Sequence, residues 1–307
     1  MRRCEKMDLN NQVDIKYVSR IETGYPARLR SIPGKPKGLY YIGKLPHESS
    51  KSVAVIGARN CSEYGKKMAQ WFGAELGAAG VEVISGMARG IDGLSQLAAL
   101  EAGGNSYAVL GSGVDICYPK ENSVLYKRLM AQGGILSEYE PGTPARARQF
   151  PPRNRIISGL ADWILVIEAN IKSGTSITVD MALEQGRDIC VLPGRVTDPL
   201  SLGCNRLIMQ GALMVTSPSD LLDLLGISEP SKQTAEMAYN VEKRRVKDFE
   251  LSTDEQGVYQ CIDFYAKHIE TIANESSFSV CDLFYVILSL ELKGLIQEQG
   301  KNYYVRK

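Results

Sequence analysis

From Ser52 onward, short β-branched apolar runs alternate with stretches whose apolar positions recur at helical spacing. The runs 53–56, 81–84, 107–110, 135–136, 163–167, 189–192 and 212–215 read as strands. Between them 64–78, 93–102, 123–131, 176–184, 205–210 and 219–224 read as helices. A further helix is expected to begin at the apolar pair Ile156-Ile157, after an extended entry set by Pro151 and Pro152. Strands that are apolar throughout, separated by helices, predict an α/β domain with a doubly wound, mostly parallel sheet covered on both faces. Its ligands belong at the carboxyl ends of the strands.

The pattern changes twice along the chain. Residues 1–50 read as an N-terminal extension packing on the α/β domain, which is assigned to 51–225. Residues 226–250 are polar, lack periodic apolar spacing and read as a linker. Within 251–307, Ser252-Thr253-Asp254-Glu255 has the form of a capping box opening a helix to about Tyr265. A second helix is expected over 278–292, and a hairpin turns at Gly300-Lys301. Helices followed by a short hairpin predict a small winged helix. Its charges are mixed, so a protein-contact role is as open as DNA reading.

Composition narrows the chemistry. The net charge of +1 over 307 residues excludes a globally basic coat, so any nucleic-acid binding must use a local patch. Such patches exist. From Pro141 through Ala161 there is no acidic residue, while Arg146, Arg148, Arg153 and Arg155 supply four positive charges. Seven cysteines without C-x-x-C spacing read as reduced thiols, and two histidines, His47 and His268, argue against a His-based triad or multi-His metal centre. No cofactor, metal site or catalytic residue is assigned. No apolar signal core or membrane-spanning run is present, and a cytoplasmic location is expected.

The strand ends carry the candidate chemistry. Gly57-Ala58-Arg59 ends the first strand of the domain without the G-x-G-x-x-G of a dinucleotide site, and no G-x-x-x-x-G-K-[ST] occurs. Gly111-Ser112-Gly113-Val114-Asp115 leads through Tyr118-Pro119 to Lys120 just before a helix. Lys172-Ser173-Gly174-Thr175 precedes another helix, where amides and hydroxyls face an anion or serve as a plain N-cap. Small residues with one cation on several strand ends form one anion-binding crevice.

These segments, together with Ser85-Gly86-Met87-Ala88-Arg89-Gly90-Ile91-Asp92, the run from Phe150 to Leu160, and Leu192-Pro193-Gly194, resemble the DprA/Smf family of DNA-processing proteins in content and order. The likeness covers roughly residues 24–217, and the 150–160 run carries most of it. The resemblance implies an extended Rossmann-like fold that forms a homodimer, binds single-stranded DNA without strong sequence preference, and loads RecA recombinase during natural transformation. It implies a DNA groove lined by Arg59, Lys120, Arg153, Arg155 and Lys172. Gly57, Gly86, Gly111, Asn154, Ser173, Gly174 and Thr175 would lie alongside, the glycines letting backbone amides close in on the strand. Ala58 stands where the family usually has serine, which removes one hydroxyl contact. An N-terminal helical domain of some relatives is expected to be missing or trimmed.

The rival expectation is a phosphoribohydrolase-like, nucleotide-processing enzyme. It would use Ser173-Gly174-Thr175 with Glu184 and Leu192-Pro193-Gly194, although the order of these parts is wrong for it.

Overall fold

The computed structural model describes residues 14–171, 173–227, 251–263 and 266–306; Lys172 and nearly all of the expected linker lie outside the described residues. The chain divides into two compact units, Met1–Pro230 and Ser231–Lys307.

The first unit is built on strands β1 (Lys16–Ser19), β2 (Gly38–Gly43), β3 (Ser52–Ile56), β4 (Glu82–Ser85), β5 (Ser106–Val109), β6 (Gly134–Ser137), β7 (Trp163–Val166), β8 (Asp188–Val191) and β9 (Leu213–Met214). Their order in the sheet is β1-β2-β6-β5-β4-β3-β7-β8-β9. The run from β6 to β9 is parallel, while β2 pairs antiparallel with β6 and β1 with β2. Chain order runs outward from β3 in one direction and restarts at the adjacent β7 in the other. The carboxyl ends of β3 and β7 therefore flank the topological switch point, where such sheets open a crevice.

Helices α1 (Glu63–Ala78), α2 (Ile91–Glu101), α3 (Ser123–Gln132), α4 (Phe150–Leu160), α5 (Gly174–Glu184), α6 (Pro199–Met209) and α7 (Pro218–Leu224) complete the unit. Alternate residues of β3 face opposite layers. Ala54 and Ile56 join a core with Ile156, Leu160, Val179 and Cys204 of α4, α5 and α6. Val53 and Val55 join another with Phe72, Leu76, Ala99 and Leu221 of α1, α2 and α7. The sheet is thus covered on both faces, as its apolar strands require.

Two helices start more than a full turn earlier than the sequence predicts, for one reason. The chain is helical from Phe150, with Pro151 and Pro152 inside the first turn rather than in an extended entry, and α6 begins at Pro199, ahead of Asn205. First-turn N–H groups have no intrahelical acceptor, so a proline there loses nothing and its fixed φ suits the helix. The N-terminal segment contributes β1 and β2 to the sheet and is pinned by Arg28. That guanidinium donates to the Ser52 hydroxyl at 2.6 Å, the Ser50 carbonyl at 2.7 Å, the Leu160 carbonyl at 3.1 Å and Asp162 at 3.1 Å.

The second unit holds α8 (Thr253–Cys261), α9 (Ile269–Ser276) and α10 (Val280–Leu292), with a sheet ordered β10 (Lys267–His268), β12 (Tyr303–Arg306), β11 (Ile296–Gly300). The Ser252/Glu255 capping box forms in both directions. Helix α9 and strand β10 were not predicted. Ile269, Ile272 and Ala273 face the small core at i, i+3, i+4 spacing, a pattern one turn long that gives little signal by itself. Among the described residues, no helix is long and apolar enough to cross a membrane.

Candidate nucleic-acid interface

The strand-end loops of β3, β4 and β5 meet the start of α4 on one side of the switch point. Phe150 opens α4, and its ring stacks on that of Tyr118 with centroids 5.6 Å apart and planes inclined by 23°. Tyr118 is 48% exposed. The Arg59 guanidinium lies over the Phe150 ring at 5.6 Å, and that of Arg153 lies over it at 5.8 Å. Exposed Arg59 does not pair with Glu63, which binds Lys66 at 2.6 Å instead. A half-open aromatic stack flanked by an exposed cation is the chemistry that holds an unpaired base beside a phosphate.

Arg59 also borders a depression of about 520 Å³ shared with Cys61, Lys66, Arg89, Gly90 and Asn122. Gly90 makes this approach possible. Its φ is +75°, and a Cβ there would lie 2.3 Å from the Ala58 carbonyl oxygen and 2.6 Å from that of Arg59. Only glycine lets α2 start directly against the Arg59 loop, which brings Arg89 to the same depression. Asn122 steadies the other wall by donating to the Met87 and Ala88 carbonyls, each at 3.0 Å. Lys120 is exposed, two residues beyond Tyr118, in the short 3-10 turn before α3. Asp115 ties its loop to the one after β6, accepting from the Gly142 amide at 2.8 Å. Burial pushes the Cys61 thiol up, and Glu168 adds to this, so a thiolate nucleophile is disfavoured here.

Several residues assigned to the groove sit elsewhere. Arg153 is 4% exposed and donates to the Gly86 carbonyl at 3.0 Å and to the Val109 carbonyl, joining the ends of β4 and β5. Burial lowers its guanidinium to about 10, with Asp92 opposing and Arg59 assisting. Burial likewise raises the Asp92 carboxyl, against the pull of Arg153. An arginine held this way beneath the aromatic stack supports the site from below and does not line it. Asn154 accepts from the Arg153 Nε at 3.3 Å.

Arg155 points away from the stack. It makes a two-pronged pair with Glu138 at 2.8 and 2.7 Å and donates to the carbonyls of Gly34 at 2.7 Å and Pro152 at 2.6 Å. Its role is to tie α4 to the N-terminal segment. Arg155→Ala is therefore expected to lower stability by about 2 kcal/mol. Arg155→Lys should recover little, because an ammonium cannot replace the planar fork. Urea unfolding of both variants checks this, and wild-type midpoints would contradict it.

The glycines also serve packing more than ligand approach. A Cβ on Gly57 would meet Ile91 at 2.7 Å, one on Gly86 the Arg153 guanidinium at 2.6 Å, and one on Gly111 the Phe150 ring at 2.9 Å. Gly174 alone of the four faces open space. Ser173 occupies the N-cap position of α5, yet its hydroxyl is buried without a partner among the described residues, and Thr175 is buried. Lys172 lies outside the described residues. Glu184, which an enzyme would need near this loop, is exposed at the opposite end of α5.

Reading single residues missed Arg89, although it too follows a strand-end glycine motif. It also missed Glu168, which is buried at the end of β7 and accepts from the Ser62 amide at 2.9 Å and from the Ser62 hydroxyl. Burial raises the Glu168 carboxyl, and the Ser62 hydrogen bonds only partly oppose it. The folded chain thus holds this proton more tightly than the unfolded one. The resulting stabilisation is full below the ordinary glutamate pKa and is lost as pH rises through the raised value. Glu168→Gln is expected to flatten that slope in denaturant titrations across the window; an unchanged slope would contradict the assignment.

Residues 16–226 match the family model described as DNA recombination-mediator protein A, and 242–300 match the DprA winged helix domain. The chain is 43% identical to Protein Smf of Escherichia coli over 202 residues, covering 66% of this chain and 54% of that protein. It is 41% identical to the DNA processing protein DprA of Streptococcus pneumoniae, covering 66% and 72%. It thus spans about half of the first relative and under three quarters of the second.

Among solved structures, DprA of S. pneumoniae superposes with a TM-score of 0.65 at 40% identity, over 68% of this chain and 74% of that one. DNA processing protein A of Helicobacter pylori, solved for its single-stranded DNA binding mode, gives 0.63 at 27% identity over 70% and 96%. With a family model matching 16–226 of the α/β unit, and a second on the winged helix, this chain belongs to the DprA/Smf family of DNA-processing, recombination-mediator proteins.

Proposed function

We propose that the chain binds single-stranded DNA without sequence preference across the Arg59–Phe150–Tyr118 surface. The observation that carries this reading is the half-exposed Tyr118–Phe150 stack capped by the exposed Arg59 guanidinium at the carboxyl ends of β3 to β5. Rings accept the π-face of any base, while Arg59, Arg89 and Lys120 neutralise phosphates. Gly174 and the start of α5 offer a further anion contact on the same reading. The H. pylori protein's single-stranded DNA binding mode supports it.

A duplex keeps its bases inside and is stiff, so it gains nothing from the stack. In competition anisotropy, a single strand is expected to displace a labelled oligothymidine at least about tenfold better than a duplex of equal length. Affinity should fall with salt at a log–log slope of about −0.7 per phosphate neutralised. Equal competition by duplex would overturn the reading.

On family grounds the chain also acts as a homodimer that protects incoming DNA and loads RecA onto it during natural transformation. The exposed Leu213 and Met214 on edge strand β9 offer an apolar surface suited to pairing. Light scattering tests the dimer, and stimulation of RecA filament formation on coated strands tests the loading.

A further inference from the structure

The winged helix carries a face that the DNA-binding reading does not use. Helix α10 buries Leu283, Ile287 and Leu290 in the domain core. Its other side exposes Val280, Phe284, Leu288 and Leu292 in steps of four, with Tyr285 beside them. Tyr285 is 80% exposed and Leu292 81%. A hollow of about 270 Å³ lies among Phe284, Tyr285, Ile287, Leu288, Glu291 and Tyr304, room for an anchoring side chain.

This is not the surface of a DNA reader. A groove-reading helix needs Arg, Lys, Asn or Gln aimed at base edges and cations against phosphates. Helix α10 supplies none of these. Lys293, just beyond its end, is bound to Glu255 at 2.7 Å. Over 251–306 eight carboxylates stand against Lys267, Lys293, Lys301 and Arg306. Lys267 is held by Asp263 at 3.0 Å and Glu275 at 2.8 Å, and Arg306 donates to the Tyr259 carbonyl at 2.7 Å.

Acidic groups border the stripe. Glu291 lies at the rim of the hollow, linked to the Glu298 amide at 3.0 Å, and exposed Asp282 lies in the first turn. A second copy docked face to face would bring these carboxylates together. A partner with cations at the margins of an apolar stripe would neutralise them.

We propose that this face of α10 docks another protein, through an amphipathic helix whose apolar stripe is bordered by lysine or arginine. One apolar residue of that helix fills the hollow, and a neighbouring cation meets Glu291. Helix-in-groove recognition of this kind rests on a few apolar anchors at i, i+3/4 and i+7.

The test is selection of a displayed random-peptide library on the full chain, with the Leu288→Glu chain as counter-target. Enriched peptides are expected to show apolar anchors at helical spacing with flanking Lys or Arg. By anisotropy they should bind the Leu288→Glu and Tyr285→Ala chains about tenfold more weakly. Both side chains are exposed, so the variants should melt as wild type, and Tyr285→Ala stands alone if Leu288→Glu does not. Glu291→Lys should transfer preference to the same peptide with Glu in place of its cations.

No enrichment, acid-flanked or extended winners, or equal binding by both variants would overturn the proposal. So would a drop in assembly size on Leu288→Glu, which would assign the face to a second copy. A tenfold loss of single-strand affinity in that variant would likewise assign it to DNA.

Discussion

Arg59→Ala is expected to weaken oligothymidine binding by about tenfold, and Arg59→Ala combined with Tyr118→Ala by about a hundredfold. The melting temperature should stay within about 2 °C of wild type. Arg59 is exposed and its guanidinium lies over the Phe150 ring, so its loss removes a phosphate partner and one cap of the stack together. Tyr118 forms the open face of that stack, and base–aromatic stacking contributes about 1–3 kcal/mol for each base held. Lys120→Ala should act in the same direction but more weakly, mainly by lowering the salt slope. Fluorescence anisotropy at two salt concentrations reads both effects. Wild-type affinity in the double variant would remove the aromatic stack from the account.

Arg153→Met is expected to do the opposite, damaging the fold before it touches binding. The guanidinium is buried and holds the Gly86 and Val109 carbonyls at the ends of neighbouring strands, with Asp92 buried close by. Methionine fills a similar volume but donates nothing. Two carbonyls lose a partner and the Asp92 carboxylate loses its compensating charge, at a cost of about 3 kcal/mol. For a unit of this size that lowers the melting temperature by about 6–12 °C. Asp92→Asn in the same background should recover part of the loss, since it removes the uncompensated charge. Calorimetry of the single and double variants separates these terms. An Arg153→Met chain with wild-type melting and lost DNA binding would return Arg153 to the groove.

The contrast between Arg59 and Arg153 marks the limit of what the sequence discloses. Both follow small or rigid residues at a strand or helix boundary, and both read as phosphate ligands. Which one faces water depends on where α4 crosses the sheet, a long-range outcome that local spacing does not encode. Arg155 was misread for the same reason, since its partners Gly34 and Glu138 come from distant parts of the chain.

Strands β3 to β8 were legible because they are buried on both faces and so largely apolar, as Val53–Ile56 is, whereas the half-exposed β1 and β2 were not read as strands. The starts of α4 and α6 were not, because proline both breaks helices and opens them. The aromatic platform lay between these cases. Phe150 and Tyr118 stand in two of the motifs read from the sequence, yet only the meeting of the Tyr118 loop with α4 makes them a stack.

Photo-cross-linking of the full chain to an iodouracil-substituted single strand, mapped by mass spectrometry, tests the central claim most directly. The adducts are expected on Tyr118 and Phe150, and should fall away in the Arg59→Ala chain. Adducts confined to the winged helix, or spread over surfaces remote from the β3 and β5 strand ends, would contradict it.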